Sequence, residues 1–159
     1  MMTIQTNLLD TQFQFVAHQV NCRGVMGAGV AKALNEATGG KLLKGYRDFI
    51  EEMNEYEEDL LGKCYWYYAK NNRVILNLFA QRDYGTNKRQ TNYEALYASI
   101  KSGIEMIWSD YYKEDGCQMC IAIPYGMGCG LAGGDWEKVT EVLEEIEREY
   151  NVLFIAHKI

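Results

Sequence analysis

Two glycine-rich stretches hold the residue types best suited to chemistry. The first, VNCRGVMGAGVAKAL at residues 20–34, places Asn21 at the end of an apolar run and then Gly24, Gly27 and Gly29 ahead of helix-forming residues. The second, PYGMGCGLAGGDW at residues 124–136, repeats the arrangement after another apolar run and ends on Asp135 and Trp136. Glycine lets the main chain approach a ligand closely and leaves its N–H groups bare, and a helix start adds partial positive charge. A phosphate is the natural guest of such a turn. One stretch alone could equally shape only a tight strand-to-helix connection. Two of them in a small domain suit the opposite sides of an extended diphosphate. No Gly-Lys-Ser/Thr is present, which excludes a P-loop, and the first stretch lacks Gly-x-Gly-x-x-Gly in order, which disfavours a dinucleotide fingerprint. Backbone amides without an attendant lysine fit a diphosphate bound without magnesium and without phosphoryl transfer between nucleotides.

Few side chains near these turns titrate. His18 stands three residues before Asn21, at the exit of its strand. A ring that titrates near neutrality suits proton transfer, although a histidine on a buried strand also reads as a core residue. Asp135 has two readings, a group that orients His18 or a water, and an N-cap for the helix beginning at Trp136. Cys22 and Cys129 lie within the turns but read as small packing residues. Cys117 and Cys120 form a lone CxxC with no second pair or nearby histidines, so no metal is expected.

The elements that must position these groups follow from periodicity. A short strand opens the chain within residues 1–9. A second, over 13–20, is apolar at successive positions, as a parallel strand buried on both faces would be. The first glycine stretch enters a helix over 28–37, stopped by Gly39 and Gly40. Helical spacing of Leu42, Leu43, Tyr46, Phe49, Ile50 and Met53 predicts a second helix over about 41–56, and the acidic run that follows reads as a solvated face. Residues 64–69 and 74–80 flank an Asn-rich turn as a strand pair. A polar loop, 81–90, then leaves the strand end where ligands bind in α/β sheets. Thr91 and Glu94 read as a capping box for a helix carrying Tyr93, Leu96, Ile100, Ile104 and Ile107, ended at Asp115 and Gly116. A buried strand at 119–123, the second glycine stretch, a helix from Trp136 and a last strand at 152–156 complete the pattern. This alternation predicts a three-layer α/β/α fold with a mixed sheet, in one domain spanning 1–159.

The 159 residues are enough to bury a real core, and the charged and apolar fractions are those of an ordinary globule. A net charge of −6 argues against non-specific nucleic-acid binding or binding to a membrane surface. No stretch has the length of a membrane span, and the first ten residues do not read as a signal peptide. Five cysteines, an odd number, suggest reduced thiols and a cytoplasmic setting.

The combination of VNCRGVMGAGVA at 20–31, GCGLAGGDW at 128–136 and a leading TNLL at 6–9 resembles the macrodomain family. The resemblance covers nearly the whole chain. It is strongest to the branch with ADP-ribose-1''-phosphate phosphatases and enzymes that remove ADP-ribose from glutamate or from DNA. It implies a cleft for ADP-ribose. Asn7 would stand where many macrodomains place an aspartate against the adenine amino group. Gly27, Ala28, Gly29 and Val30 would contact the diphosphate and distal ribose, and Asn21 that ribose. Tyr125, Gly126, Met127, Gly128, Cys129, Gly130 and Leu131 would close over the phosphates. Gln81 would occupy the place of the lysine used by the glycosidase members, and Lys88 lies farther along the same loop. Glutamine forms no iminium, which disfavours lysine-dependent deglycosylation. A phosphatase of the family carries a histidine at the place of His18. The resemblance therefore implies hydrolysis of the terminal phosphate of ADP-ribose-1''-phosphate, with His18, Asn21 and Asp135 acting on it and no cofactor. Removal of ADP-ribose from modified protein or nucleic acid, or binding without turnover, are the alternatives.

Overall fold

The computed structural model describes residues 1–111 and 118–159. The expected helix stop at Asp115 and Gly116, and Cys117 of the CxxC pair, lie outside the described residues. The strands are β1 (Met2–Ile4), β2 (Phe15–Asn21), β3 (Cys64–Tyr68), β4 (Val74–Gln81), β5 (Met119–Pro124) and β6 (Val152–His157). The α-helices among the described residues are α1 (Gly29–Ala37), α2 (Lys41–Glu55), α3 (Tyr93–Asp110) and α4 (Trp136–Glu149), with a short 3-10 turn at Leu8–Asp10.

One six-stranded sheet runs in the order β1-β6-β5-β2-β4-β3. All neighbours pair in parallel except β3, which returns antiparallel along β4. Period-two alternation divides β4 between the faces. Val74, Leu76, Leu78 and Ala80 pack with Leu96, Ile100 and Ile104 of α3 and with Val139, Leu143 and Ile146 of α4. Ile75 and Phe79 face the other way, against Leu34 of α1 and Leu42 and Tyr46 of α2. The result is the predicted α/β/α sandwich with a mixed sheet, because strands buried on both faces require helices on both.

Two local departures bear on the site. The cap of α3 is Asn92, whose side chain accepts the amide of Ala95 at 3.0 Å, one residue beyond the expected Thr91. Thr91 is held extended by a bridge to Gln81, which keeps it outside the helix and frees its hydroxyl for the glycine turn opposite. At the end of β2 the register against β4 slips, so that Val20 faces Phe79 but Asn21 faces Gln81. A bulge of this kind bends the strand end and re-aims the side chain that terminates it.

Candidate functional site

β2 and β5 are neighbours in the sheet, yet the helices that follow them, α1 and α4, lie on opposite faces. A crevice opens at such a reversal, outside the carboxyl ends of the strands. Here it is a cleft of about 590 Å³ walled by the two glycine turns, with Asn21 and Gln81 at the strand ends and Tyr84, Gly85 and Thr86 from the polar loop. Among the described residues that line it there is no aspartate, glutamate, lysine or arginine. An anion in this cleft is met by main-chain dipoles.

The first turn is pinned from α2. The Asn21 carboxamide donates through Nδ2 to the Val25 carbonyl (2.8 Å), and its Oδ1 accepts the amide of Arg23 (2.9 Å). The phenol of Tyr46, wholly buried, sits 2.5 Å from the Asn21 carbonyl oxygen and 2.9 Å from its Oδ1. Arg47 Nε donates to the Gly24 carbonyl at 2.9 Å. Asn21 does line the cleft, but much of its hydrogen-bonding capacity shapes the turn. The turn then delivers α1 with its start open. Its N-cap is Ala28, with no side chain capping the first amides, and Gly29 has φ +59° with nothing within 4 Å of the position a Cβ would take. Gly27, Ala28, Gly29 and Val30 all line the cleft.

The second turn holds itself. Successive short bonds run from Met127 N to Pro124 O (3.1 Å), Cys129 N to Gly126 O (2.9 Å) and Gly133 N to Gly130 O (3.1 Å). Gly126 and Gly128 take φ of +75° and +77° with Met127 between them at negative φ. That alternation turns neighbouring N–H groups to one side as a concave anion seat. The amides of Gly126, Gly128, Gly130 and Leu131 make none of the turn's own bonds. A polar relay ties this turn to the sheet. Thr91 Oγ1 donates to the Gly128 carbonyl (2.6 Å), and Gln19 Nε2 donates to Thr91 Oγ1 and to Gln81 Oε1, each at 2.8 Å. Gln81 in turn donates to the Asp83 carbonyl at 2.7 Å. Gln19, Thr91 and Tyr46 were not anticipated as site residues. The one signal for Gln19 was its place between His18 and Asn21 at the polar exit of β2.

His18 is in the wall of the cleft but 1% exposed, on the α1 side of β2. Asn77, its register partner on β4, sends its Nδ2 to the carbonyls of Tyr65 (3.0 Å) and Ile75 (3.3 Å), which turns its Oδ1 toward the imidazole. His18 Nε2 therefore carries the proton and donates to that oxygen at 2.6 Å. Nδ1 is buried without a partner. Burial pulls the ring down to about 4, outweighing the Asn77 bond that favours the charged form, so the ring is neutral near pH 7.

The remaining expected site residues divide. Asp135 takes its capping role: its side chain accepts the amide of Glu137 at 2.9 Å, and it is exposed and outside the cleft lining. Cys129 also lies outside the lining. It packs half-buried on the α3–α4 core, and burial pushes its thiol up to about 11. Asn7 is not in the main cleft either. It borders an adjoining pocket of about 420 Å³ that shares Gly29, Val30, Pro124 and Tyr125 with the cleft, and its Oδ1 accepts the amide of Leu9 at 3.0 Å. Tyr125, Gly126, Met127, Gly128, Gly130, Leu131 and Gln81 all line the cleft. No helix among the described residues is long and apolar enough to cross a membrane.

A domain of this architecture, with paired glycine turns over the carboxyl ends of its parallel strands, is defined further by comparison. The family model described as Macro domain matches residues 17–143, and the chain belongs to the macro domain family. Among solved structures it is similar to a protein of unknown function from Bacteroides thetaiotaomicron (TM-score 0.77, 21% identity, covering 99% of this chain and 97% of that one). It is also similar to the macrodomain of Mycobacterium tuberculosis DarG (TM-score 0.74, 19% identity, 99% and 97% covered). A third similar structure is Thermosipho africanus DarTG in complex with ADP-ribose (TM-score 0.68, 22% identity, 98% of this chain and 40% of that one). At these identities the likeness is one of fold. No curated protein matches the chain.

Proposed function

We propose that this chain binds ADP-ribose or a close derivative, with the diphosphate on the amides at the start of α1 and in the second glycine turn. The observation that carries this reading is a cleft lined by main-chain donors, with no charged residue among its described lining. The known complex of a similar fold with ADP-ribose supports it. The adjoining pocket continues the cleft past Gly29, Val30, Pro124 and Tyr125, which line both. Titrating the protein with ADP-ribose by calorimetry tests the reading. Saturable binding that ADP or ribose 5-phosphate alone matches only weakly is the expected result, and no heat at millimolar ligand would overturn it.

Hydrolysis of ADP-ribose-1''-phosphate is the second reading. The observation favouring it is His18 in the cleft wall with Nδ1 free of any hydrogen bond. Nδ1 is buried, so a water or ligand hydroxyl reaches it only if the cleft wall yields; it would then find a neutral base, with Asn77 holding the other nitrogen protonated. Asp135, spent on capping α4, is no longer required. Phosphate release from ADP-ribose-1''-phosphate should then fall on the acid side, near pH 4, and should be lost in His18→Ala. Release undiminished in that variant would remove His18 from the reaction. Tight binding with no release of phosphate would leave a binding module.

A further inference from the structure

The loop at residues 82–90 forms one wall of the cleft through Tyr84, Gly85 and Thr86, and both of its feet rest on a single side chain of β2. Gln81 and Thr91, which flank the loop, face each other across an antiparallel bridge. The Gln19 carboxamide joins them. One Nε2 hydrogen goes to Gln81 Oε1 and the other to Thr91 Oγ1, each at 2.8 Å. The surroundings fix that orientation. The hydroxyl hydrogen of Thr91 is on the Gly128 carbonyl, and the Gln81 amide nitrogen donates to the Asp83 carbonyl, so each oxygen turned to Gln19 accepts.

The arrangement leaves Gln19 Oε1 buried with no partner, 2.7 Å from the place a Cβ on Gly128 would take. A buried acceptor without a donor lowers stability, and an aliphatic chain at this position of β2 would avoid that loss. The glutamine is therefore explained by its two amide hydrogens. Its head group has nothing left for a ligand, since the nitrogen is engaged twice and the oxygen is closed off beside Gly128. Through Gln81 it holds the start of the loop. Through Thr91 it fixes the Gly128 carbonyl, which also accepts the Gly134 amide at 2.8 Å. We propose that Gln19 is a positioning residue, whose carboxamide hydrogens clamp the feet of the 82–90 loop and, through Thr91, hold the second glycine turn in the shape that takes the diphosphate. The inference rests on the binding reading above. A wall and an anion seat held ready in advance spare the ligand the cost of ordering them.

The test titrates ADP-ribose calorimetrically into the unaltered chain, Gln19→Met, Thr91→Val, Thr91→Ser and the double variant Gln19→Met/Thr91→Val, with urea melts of each. Gln19→Met keeps the length of the side chain and removes both hydrogens and the orphaned oxygen. Its urea midpoint should stay or rise while its ADP-ribose Kd increases about tenfold, a split that a purely structural residue would not give. Thr91→Val should weaken binding about tenfold, and Thr91→Ser, which keeps the hydroxyl, should recover most of that loss. The double variant should lose no more than about thirtyfold, because the two changes break the same relay. Gln19→Leu takes the place of Gln19→Met should that variant not fold. Trypsin reads the clamp without ligand: cleavage after the exposed Lys88 and Arg89 should be about threefold faster or more in Gln19→Met. A Gln19→Met Kd within about threefold of the unaltered chain would overturn the proposal. So would loop cleavage at the unaltered rate, or losses that multiply to about a hundredfold in the double variant. In each of those cases binding by the unaltered chain keeps the cleft reading. No heat from the unaltered chain would remove the cleft reading and the claim on affinity, and the digestion would then decide the clamp.

Discussion

The starts of α1 and α2 are a natural pair. Each follows a glycine-containing turn, each has an N-cap residue without a capping side chain of its own, and each uses a glycine at positive φ, Gly29 at +59° and Gly40 at +86°. Their amides meet different fates. At α2 the preceding helix supplies the caps: Thr38 Oγ1 accepts the Leu42 amide at 3.0 Å and Asn35 Oδ1 accepts that of Leu43 at 2.9 Å. At α1 no side chain does so. The first amides of a helix are orphan donors that cost stability when buried unpaired, so an uncapped start persists where water or a ligand can reach it. The same chain shows that caps were within its means. The open start is thus the better marker of the ligand than the glycines, which both helices share.

Acid should produce the largest effect, because α1 packs on the strand that carries His18 and α2's capped start has no such group beneath it. With the folded ring titrating near 4 and the unfolded one near 6.5, the unfolded chain binds the extra proton between those values. Stability is therefore full above pH 6.5 and should fall by about 3 kcal/mol as pH drops to about 4. Urea melts across that range measure it, and His18→Gln should remove about one proton from the slope. Next, Gly29→Val puts a β-branched side chain at positive φ and into the open cleft. ADP-ribose affinity should fall about a hundredfold, or roughly 2.7 kcal/mol by calorimetry. The matching Gly40→Ala should cost about 1 kcal/mol of folding stability in the same melts and leave affinity unchanged. Ala28→Asp supplies the cap that α1 lacks, on backbone already extended at φ −152°. It should raise stability by about 1 kcal/mol while weakening ADP-ribose about tenfold, because its carboxylate takes the phosphate's donors. Smallest is Thr38→Val, expected to lose about 1 kcal/mol of stability or slightly less, with binding untouched. A Thr38→Val protein that bound ADP-ribose differently would break the contrast between the two helices.

Periodicity made the layers legible: strand and helix faces in the sequence match the two cores, and both glycine turns flank the cleft. What it concealed were partnerships between distant residues. Asn77, a lone amide inside an apolar run, hinted at a buried polar pair, but its partner lies 59 positions away. Tyr46 fits an apolar helical stripe perfectly well, and only the fold reveals that its hydroxyl grips Asn21. Cys129 and Asp135 sit in the right stretch yet turn away from the cleft, since alternation within a turn decides which side chains face inward. The cap of α3 slipped by one residue because Thr91 was needed for the relay to Gly128.

The strand order has a bearing on how the protein comes into being. Among the described residues β1 pairs in the sheet with β6 alone, although nearly the whole chain separates them. Pairing across so much sequence is slow, since the loop must close before any contact rewards it. Until β6 has been made, β1 has no strand to pair with in this sheet. The pocket beside the cleft draws on both ends of the chain, Asn7 after β1 and Lys158 after β6, and a chain truncated before β6 would lack that corner.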